Sequence, residues 1–345
     1  MGETGLRVAV IGSTGYAGGE LVRILARHPV ARIAGLQARG RDNEPIGQSH
    51  PHLAGTGYRI TDQVPTELDA VFVSLPHGAA ADMVAELSER LVVIDLGPDF
   101  RLHQRADYPR WYGFEHPRPD LLNGSVYGLP ELHRDTLAGF GRRGIVASPG
   151  CYATATILAL APLAGAGLLA DVVVDAKSGV SGAGREARVP FLFSEVNESV
   201  RAYGVDGHRH VAEMEQELGL LAPGGDLEPI DFLPHLIPMT RGILAACHVR
   251  PSRPVSQAEL DDLYRAFYAG ERFVELAAEP PATKHVLGSN LARIHVHADE
   301  RTGRILVLSV IDNLVKGAAG QAIQAFNIVF GLPEASGLEQ VALAP

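Results

Sequence analysis

One cysteine, two histidines and a glutamate are the residues of this chain best suited to covalent chemistry. Cys151 stands in the run Val146-Ala147-Ser148-Pro149-Gly150-Cys151-Tyr152-Ala153-Thr154, between a short apolar strand (145–147) and a small-residue helix (152–163). Gly150 lets the backbone turn sharply, and Pro149 stiffens the approach. The unpaired N–H groups and the dipole of a helix start stabilise negative charge, so a thiol there ionises more readily than a free one. A thiolate at such a turn is a nucleophile for an acyl carbon. A lone cysteine is more often a buried structural residue, but Ser-Pro-Gly and Tyr-Ala-Thr are poor core-filling neighbours. The pattern predicts a nucleophile.

Gly207-His208-Arg209-His210 opens a second helix that continues from Val211 to Leu218. His210 and Glu213 are three apart and share a helical face, where the carboxylate can orient the imidazole as a general acid/base. His208, on a different face, is expected to contact substrate. The Val-rich strand 171–176 runs into Lys177-Ser178-Gly179-Val180-Ser181-Gly182-Ala183-Gly184-Arg185. Such a loop is either a flexible connector or a place where backbone and hydroxyl donors crowd a ligand. Lys177 and Arg185 at its ends favour the ligand, with both expected at the substrate and Ser181 and Gly182 at a cofactor. No metal is expected, because His208, His210, His295 and His297 lack the cysteines or third-ligand spacing of a closed site. A solvated strand face accounts for His295 and His297.

These residues need a scaffold, and the first half reads as a nucleotide-binding one. The strand 6–11 runs straight into Gly12-Ser13-Thr14-Gly15-Tyr16-Ala17-Gly18, and a helical period follows over 20–27. Strand, glycine turn and helix together raise a glycine motif above noise, although the spacing is G-x-x-G-x-x-G. Gly12 suits the tight turn, Gly15 the approach of a pyrophosphate, and Gly18 close helix packing. Residues 12–17 are therefore expected at a dinucleotide. After the second strand (32–36) comes Gln37-Ala38-Arg39-Gly40-Arg41, with no carboxylate until Asp42. That favours NADP over NAD, with Arg39 or Arg41 on the 2′-phosphate unless both are simply solvated.

A strand over 71–75, a helix over 79–88 and a strand over 91–94 continue the alternation and imply a doubly wound parallel sheet. The loop Leu75-Pro76-His77-Gly78 falls at the edge where cofactors bind, as does the turn from Asp95 to Leu102. Arg101 in that turn either reaches a phosphate or pairs with Asp95 or Asp99. Later strands at 242–249, 291–296 and 305–311, with a helix over 256–268, read as a sheet with helices on one face. An apolar helix reaching Phe330 closes the chain. If it packs back on the first domain, Asn313 can bond a nicotinamide carboxamide. The expected α/β organisation is a Rossmann-type NADP-binding domain over 1–150, completed by 316–345, and an α+β catalytic and oligomerisation domain over 151–315.

A chain of 345 residues suits two domains, and the net charge of −10 argues against nucleic acid as a partner. Its two cysteines need no disulfide framework, which fits a reducing, cytoplasmic compartment. No basic stretch followed by an apolar run marks a signal peptide, and Pro149 and Pro162 interrupt the longest apolar stretch, so no membrane span is expected.

Taken together, these blocks resemble the N-acetyl-γ-glutamyl-phosphate reductase family of the aspartate-semialdehyde dehydrogenase superfamily, from Gly12 to Asn327. The most specific parts are Ser148–Thr154, Lys177–Arg185, Gly207–His210 and Asp312–Gln321; Asp99-Phe100-Arg101-Leu102 and Tyr127–Glu131 are also similar. The resemblance implies NADPH-dependent reductive dephosphorylation of an acyl phosphate, Cys151 as nucleophile, and a homodimer or homotetramer. It points to the His-Arg-His block for the acid/base without separating His208 from His210. Ser148 stands where asparagine is frequent in the family, and Pro98 is a second departure. A close relative acting on carrier-bound α-aminoadipyl phosphate in lysine biosynthesis shares much of the first half. The complete Lys177–Gly182 loop favours the acetylglutamyl substrate. A non-catalytic NADP-binding regulator would show damage at Cys151 or His210, and an aspartyl phosphate enzyme would lack the 207–210 block as arranged here.

Overall fold

A computed structural model describes residues 5–76, 78, 80–225 and 227–343. The chain divides into two compact units: Met1–Pro149 with Ala318–Gln340, and Gly150–Gly317 with the residues from Val341 on.

The first unit holds a seven-stranded sheet of β1 (Leu6–Ile11), β2 (Ala31–Gln37), β3 (Ile60–Thr61), β4 (Ala70–Val73), β5 (Val92–Asp95), β6 (Val126–Tyr127) and β7 (Gly144–Ala147). Their order is β3-β2-β1-β4-β5-β7-β6, and every pairing is parallel. A parallel sheet is covered on both faces, which is why Val8–Ile11, Ala70–Val73 and Val92–Ile94 are continuous apolar runs with no exposed surface. Helices α1 (Tyr16–Leu25), α2 (Ile46–Ser49), α3 (Ala81–Ser88), α4 (Asp107–Tyr112) and α5 (Pro130–Ala138) complete this part. The strand order reverses between β1 and β4, so a ligand crevice is expected at their carboxyl ends.

The second unit also has seven strands: β8 (Leu169–Ser178), β9 (Arg201–Ala202), β10 (Asp231–Leu236), β11 (Ile243–Pro251), β12 (Val274–Leu276), β13 (Ala292–Asp299) and β14 (Arg304–Ile311). They run β12-β13-β14-β11-β8-β10-β9 in a mixed sheet whose centre is antiparallel. Helix α6 (Cys151–Gly165) packs on its centre, and α9 (Gln257–Phe267) packs on β13. The short α7 (Phe193–Val196) and α8 (His210–Leu221) complete the unit, with α8 against α6.

Pro162 lies inside α6, which runs through it. A proline there leaves the carbonyl of Leu158 without its helical donor; the hydroxyl of Tyr268, just past the end of α9, donates to that oxygen, and Tyr264 on α9 donates to Ala159 O at 2.6 Å. A buried tyrosine pair thus carries the helix past a residue that breaks most helices. Strand β10 was not evident in the sequence, because Pro234 sits in its middle.

The closing helix α10 (Gly320–Val329) lies in the first unit, held by side-chain amides: Gln321 Nε2 donates to Gly128 O, and Gln324 Nε2 to Glu131 Oε1, both at 2.9 Å. The expected return of the whole segment 316–345 needs correction at both ends. Lys316 and Gly317 group with the second unit, as does the tail from Val341. The reason at the tail is local: Leu343 N donates to Leu287 O at 2.8 Å. Among the described residues no helix is long and apolar enough to cross a membrane.

Asp95, at the end of β5, is fully buried, and one of its oxygens accepts Gly97 N–H at 2.8 Å. Burial raises its pKa from an ordinary 3.8 to about 7, with the Asp99 charge adding to the rise and Arg101 opposing it. Between those two values the unfolded chain has lost this proton and the folded chain keeps it, so the group makes stability fall as pH rises. Asp95→Asn is therefore expected to gain thermal midpoint over the parent as pH goes from 4.5 to 7.5. A difference that is flat across that range contradicts the assignment.

Candidate active site

The site in the second unit is built on a single glycine. Gly150 caps α6 in an extended conformation, and its N–H donates to Glu213 Oε2 at 2.8 Å. The His210 ring lies directly over the glycine: a Cβ on residue 150 would stand 2.4 Å from His210 Nε2 and 2.7 Å from two ring carbons. Those distances are well inside ordinary contact, so only glycine fits. Glu213, one turn into α8, is completely buried and turns its other oxygen toward the imidazole, 3.9 Å from Nε2. That is an ion-pair distance rather than a hydrogen bond. The expected pairing of His210 with Glu213 is present, and the carboxylate has a second role that spacing could not reveal.

Cys151 is the first residue of α6 and is half-buried. It lines a cavity of about 390 Å³ with His208, His210, Tyr152, Tyr203, Ser178 and Gly182. Three arginines, Arg188, Arg201 and Arg209, also line it. Arg188 pairs with Glu186, whereas Arg201 and Arg209 form no ion pair among the described residues. Such a cavity favours an anion carrying more than one negative group. Sequence reasoning missed Arg188, Arg201 and Tyr203, which lie far from Cys151 along the chain; Arg209, between the two histidines, was the one available signal.

His208 enters the cavity as a neutral ring. Its Nδ1 accepts His210 N–H at 3.2 Å, and the ring lies among Tyr152, Tyr203, Phe232 and His210. Burial, with Arg209 adding to it, lowers its pKa to about 4. The Tyr203 hydroxyl donates to Tyr152 Oη at 3.0 Å, and that hydroxyl donates to His235 O at 3.3 Å. Burial raises both phenols, Tyr203 to about 12 and Tyr152 further, so they remain donors.

Two expected substrate residues stand elsewhere. Lys177 does not line this cavity: its ammonium pairs with Asp175 at 2.7 Å, and His235 pairs with the same carboxylate. Successive strand residues face opposite ways, so Ser178 turns to the cavity and Lys177 turns away. Arg185 is exposed on the following loop, and Arg188 takes a place in the wall. Of the residues expected at the cofactor, Ser181 Oγ accepts from Asn313 Nδ2 at 3.0 Å, while Asn313 Oδ1 accepts Gly242 N–H at 2.7 Å. Asn313 is thus a loop tie within this unit.

In the first unit the glycine turn has the expected form. Gly12 has φ +78°, and a Cβ there would come within 2.2 Å of Ser74 O; at Gly18 a Cβ would come within 2.2 Å of Gly12 O. At Gly15 it would meet only Gly12 O, at 3.6 Å, so the turn is filled from below and open above Gly15, as a phosphate cradle requires. Ser13 and Thr14 form the turn, Tyr16 and Ala17 open α1, and Leu75 lies beside Gly12 with Pro76 next to it. His77 lies outside the described residues.

Arg39 is exposed and forms no ion pair among the described residues, whereas Arg41 pairs with Glu44 at 3.1 Å. Arg101 is buried and donates to two carbonyls: Nε to Ser148 O at 2.7 Å and Nη2 to Leu96 O at 2.8 Å.

The two cysteines differ enough to be told apart in solution. Cys247, in β11, is buried, and its thiol is pushed up to about 12. Iodoacetamide is expected to label native protein once per chain, at Cys151, and to reach Cys247 only after unfolding. Two labels on the native chain would contradict this site.

The semialdehyde dehydrogenase NAD-binding domain family matches residues 7–140, and the semialdehyde dehydrogenase dimerisation domain family matches 151–313. The chain is 46% identical to an N-acetyl-gamma-glutamyl-phosphate reductase of Heliobacterium modesticaldum, covering 99% of this chain and 100% of that one. It is 47% identical to the protein of the same name from Halorhodospira halophila, with the same coverage. Among solved structures, aspartate semialdehyde dehydrogenase II of Vibrio cholerae is similar in fold, with a TM-score of 0.70, 18% identity, and 95% and 98% of the two chains covered. The Candida albicans aspartate semialdehyde dehydrogenase, solved with NADP, gives 0.68 at 15% identity over 94% and 98%. From two family matches that together span most of the chain, and near-half identity over full length, this chain belongs to the semialdehyde dehydrogenase family and, within it, to the N-acetyl-gamma-glutamyl-phosphate reductases.

Proposed function

We propose that this protein reduces N-acetyl-γ-glutamyl phosphate to the γ-semialdehyde, with release of phosphate, in arginine biosynthesis. The observation that carries the reading is Cys151 at a helix start beside His210 and Glu213, in a cavity walled by three arginines. The substrate has a phosphate at one end and a carboxylate at the other. Arg201 and Arg209, neither ion-paired among the described residues, are suited to those two groups, and Arg188 can exchange its exposed Glu186 partner for either.

The Cys151 thiolate attacks the γ-carbonyl carbon, the C–O bond to phosphate breaks, and a thioester remains on the enzyme. A nicotinamide dinucleotide, held by residues 12–17, would supply the hydride equivalent that brings the thioester carbon to the aldehyde level. His210, oriented by Glu213, gives a proton to the oxyanion of the tetrahedral adduct and takes it back as the C–S bond breaks to aldehyde and thiolate. His208, neutral at working pH and bonded to the His210 N–H, holds that residue in place. Neutral Tyr152 and Tyr203 line the same cavity as hydroxyl donors.

NADPH is the proposed cofactor. The open turn at Gly15 suits a pyrophosphate, and Arg39, exposed and with no ion pair among the described residues, suits a 2′-phosphate. A homodimer or homotetramer is proposed through the second sheet, whose helices cover one face and leave Val173, Leu233 and His248 exposed on the other. A reducing cytoplasm suits a thiol that has to stay unoxidised.

The test is the reverse reaction of purified protein with N-acetylglutamate γ-semialdehyde, phosphate and either NADP or NAD. Phosphate-dependent reduction with NADP preferred is expected, and Arg39→Ala should raise the KM for NADP by ~10-fold while leaving NAD unchanged. No phosphate-dependent turnover would end the functional reading. An unchanged KM for NADP in the variant would place the 2′-phosphate elsewhere.

A further inference from the structure

We propose that the turn from Asp312 to Gly317 positions the nucleophile, with Gly317 as the residue that sets its distance from Cys151. The proposal rests on Cys151 being the nucleophile. Strand β14 ends at Ile311, and the chain then makes one π-helical turn over Val315–Ala319 instead of entering α10 directly. Gly317 N donates to Asp312 O at 3.0 Å across this wide ring. Single π-turns are rare and recur at functional sites. Here the widening delivers a residue without a side chain to the start of α6.

A Cβ on residue 317 would lie 2.8 Å from Cys151 Cβ, 3.3 Å from Cys151 Cα and 3.3 Å from Ile311 Cδ1. Carbon atoms prefer about 3.5–4.0 Å. The closest conflict is thus with the atom that carries the sulfur, and any side chain here forces Cys151 to move or the turn to retreat. On its other side α6 is pinned by the bond from Gly150 N to Glu213. Cys151 is held between the two.

The turn itself is tied unusually well for a connection. Asp312 is completely buried; Oδ1 accepts Leu314 N–H at 2.8 Å and Val315 N–H at 3.3 Å, and Oδ2 accepts Gly288 N–H at 2.8 Å. Arg241 approaches the same carboxylate at 3.6 Å. Asn313 joins it to Gly242 and Ser181. These side chains bond to the backbone at Gly288 and Gly242 and to the Ser181 hydroxyl, so the turn cannot drift without disturbing them. Gly317 and Asp312 are positioning residues: neither is assigned to the substrate, and both act through Cys151.

The experiment measures, in Gly317→Ala, the rate of Cys151 alkylation by iodoacetamide, the thermal midpoint, and kcat and KM in the reverse assay. Alkylation and kcat are expected to fall by ~10²-fold, the scale of a 1 Å misplacement, while KM and the cofactor affinity stay near those of the parent. Alkylation and kcat within an order of magnitude of the parent would overturn the proposal. Ile311→Val in the same background relieves the secondary contact and should restore nothing; recovery would show that crowding at Ile311 was the cause, and would overturn it as well. Should Gly317→Ala not fold, Asp312→Asn is the second variant. It puts a donor against Gly288 N–H and is expected to lower alkylation and kcat at unchanged KM; parent-like values would count against the proposal. Alkylation needs no substrate, so it tests Gly317 even if the parent fails to turn over the proposed acyl phosphate.

Discussion

The site depends on the bond from the Gly150 N–H to the buried carboxylate of Glu213. A fully buried carboxylate has to be compensated by donors, and here one donor is the backbone N–H of Gly150, the residue that caps the helix carrying the nucleophile. The bond does three things at once. It fixes where α6 begins, it ties α6 to α8, and it leaves the second carboxylate oxygen facing His210. The missing side chain at residue 150 completes the arrangement, because the imidazole occupies the space a Cβ would need. Nucleophile, base and orienting carboxylate are thereby set by one residue with no side chain.

The reacting residues were legible in the sequence because their signals are local. A cysteine beside Pro-Gly at a strand-to-helix junction, a histidine and a glutamate three apart, and a glycine turn after a strand can each be read within a few residues. What could not be read involves distance or sides. Arg188, in an irregular stretch, and Arg201, on the two-residue β9, reach the cavity from about 40 to 50 residues after Cys151. Lys177 and Ser178 differ by one step, and strand alternation alone decides which faces the cavity. Pro162 looked like an interruption because its compensation comes from Tyr268, just past the end of α9. Pro234 hid β10, and nothing local to Gly317 told of Cys151.

Charge is distributed with the same economy. The chain carries a net charge of −10, yet three arginines gather around one cavity, two of them with no acidic partner among the described residues. A positive cavity in a negative molecule concentrates field lines at its mouth and favours small anions over large polyanions. The neutral groups matter equally. His208 is held uncharged by burial, and the two phenols keep their protons, so the cavity offers neutral donors beside its fixed cations. Of the ring systems around Cys151, His210 is the one paired with a buried carboxylate, which singles it out for proton transfer.

The most direct test of this account is a double-mutant cycle between Gly150 and His210, read as kcat. Gly150→Ala alone displaces the imidazole and His210→Asn alone removes it, and each is expected to cost within the ~10²–10⁴ range of a lost general acid/base. If Gly150 serves chiefly to seat His210, the double mutant will be no slower than His210→Asn, since the added methyl has no ring left to displace. Losses that multiply across the two sites would show that Gly150 and His210 act independently, and would contradict the account.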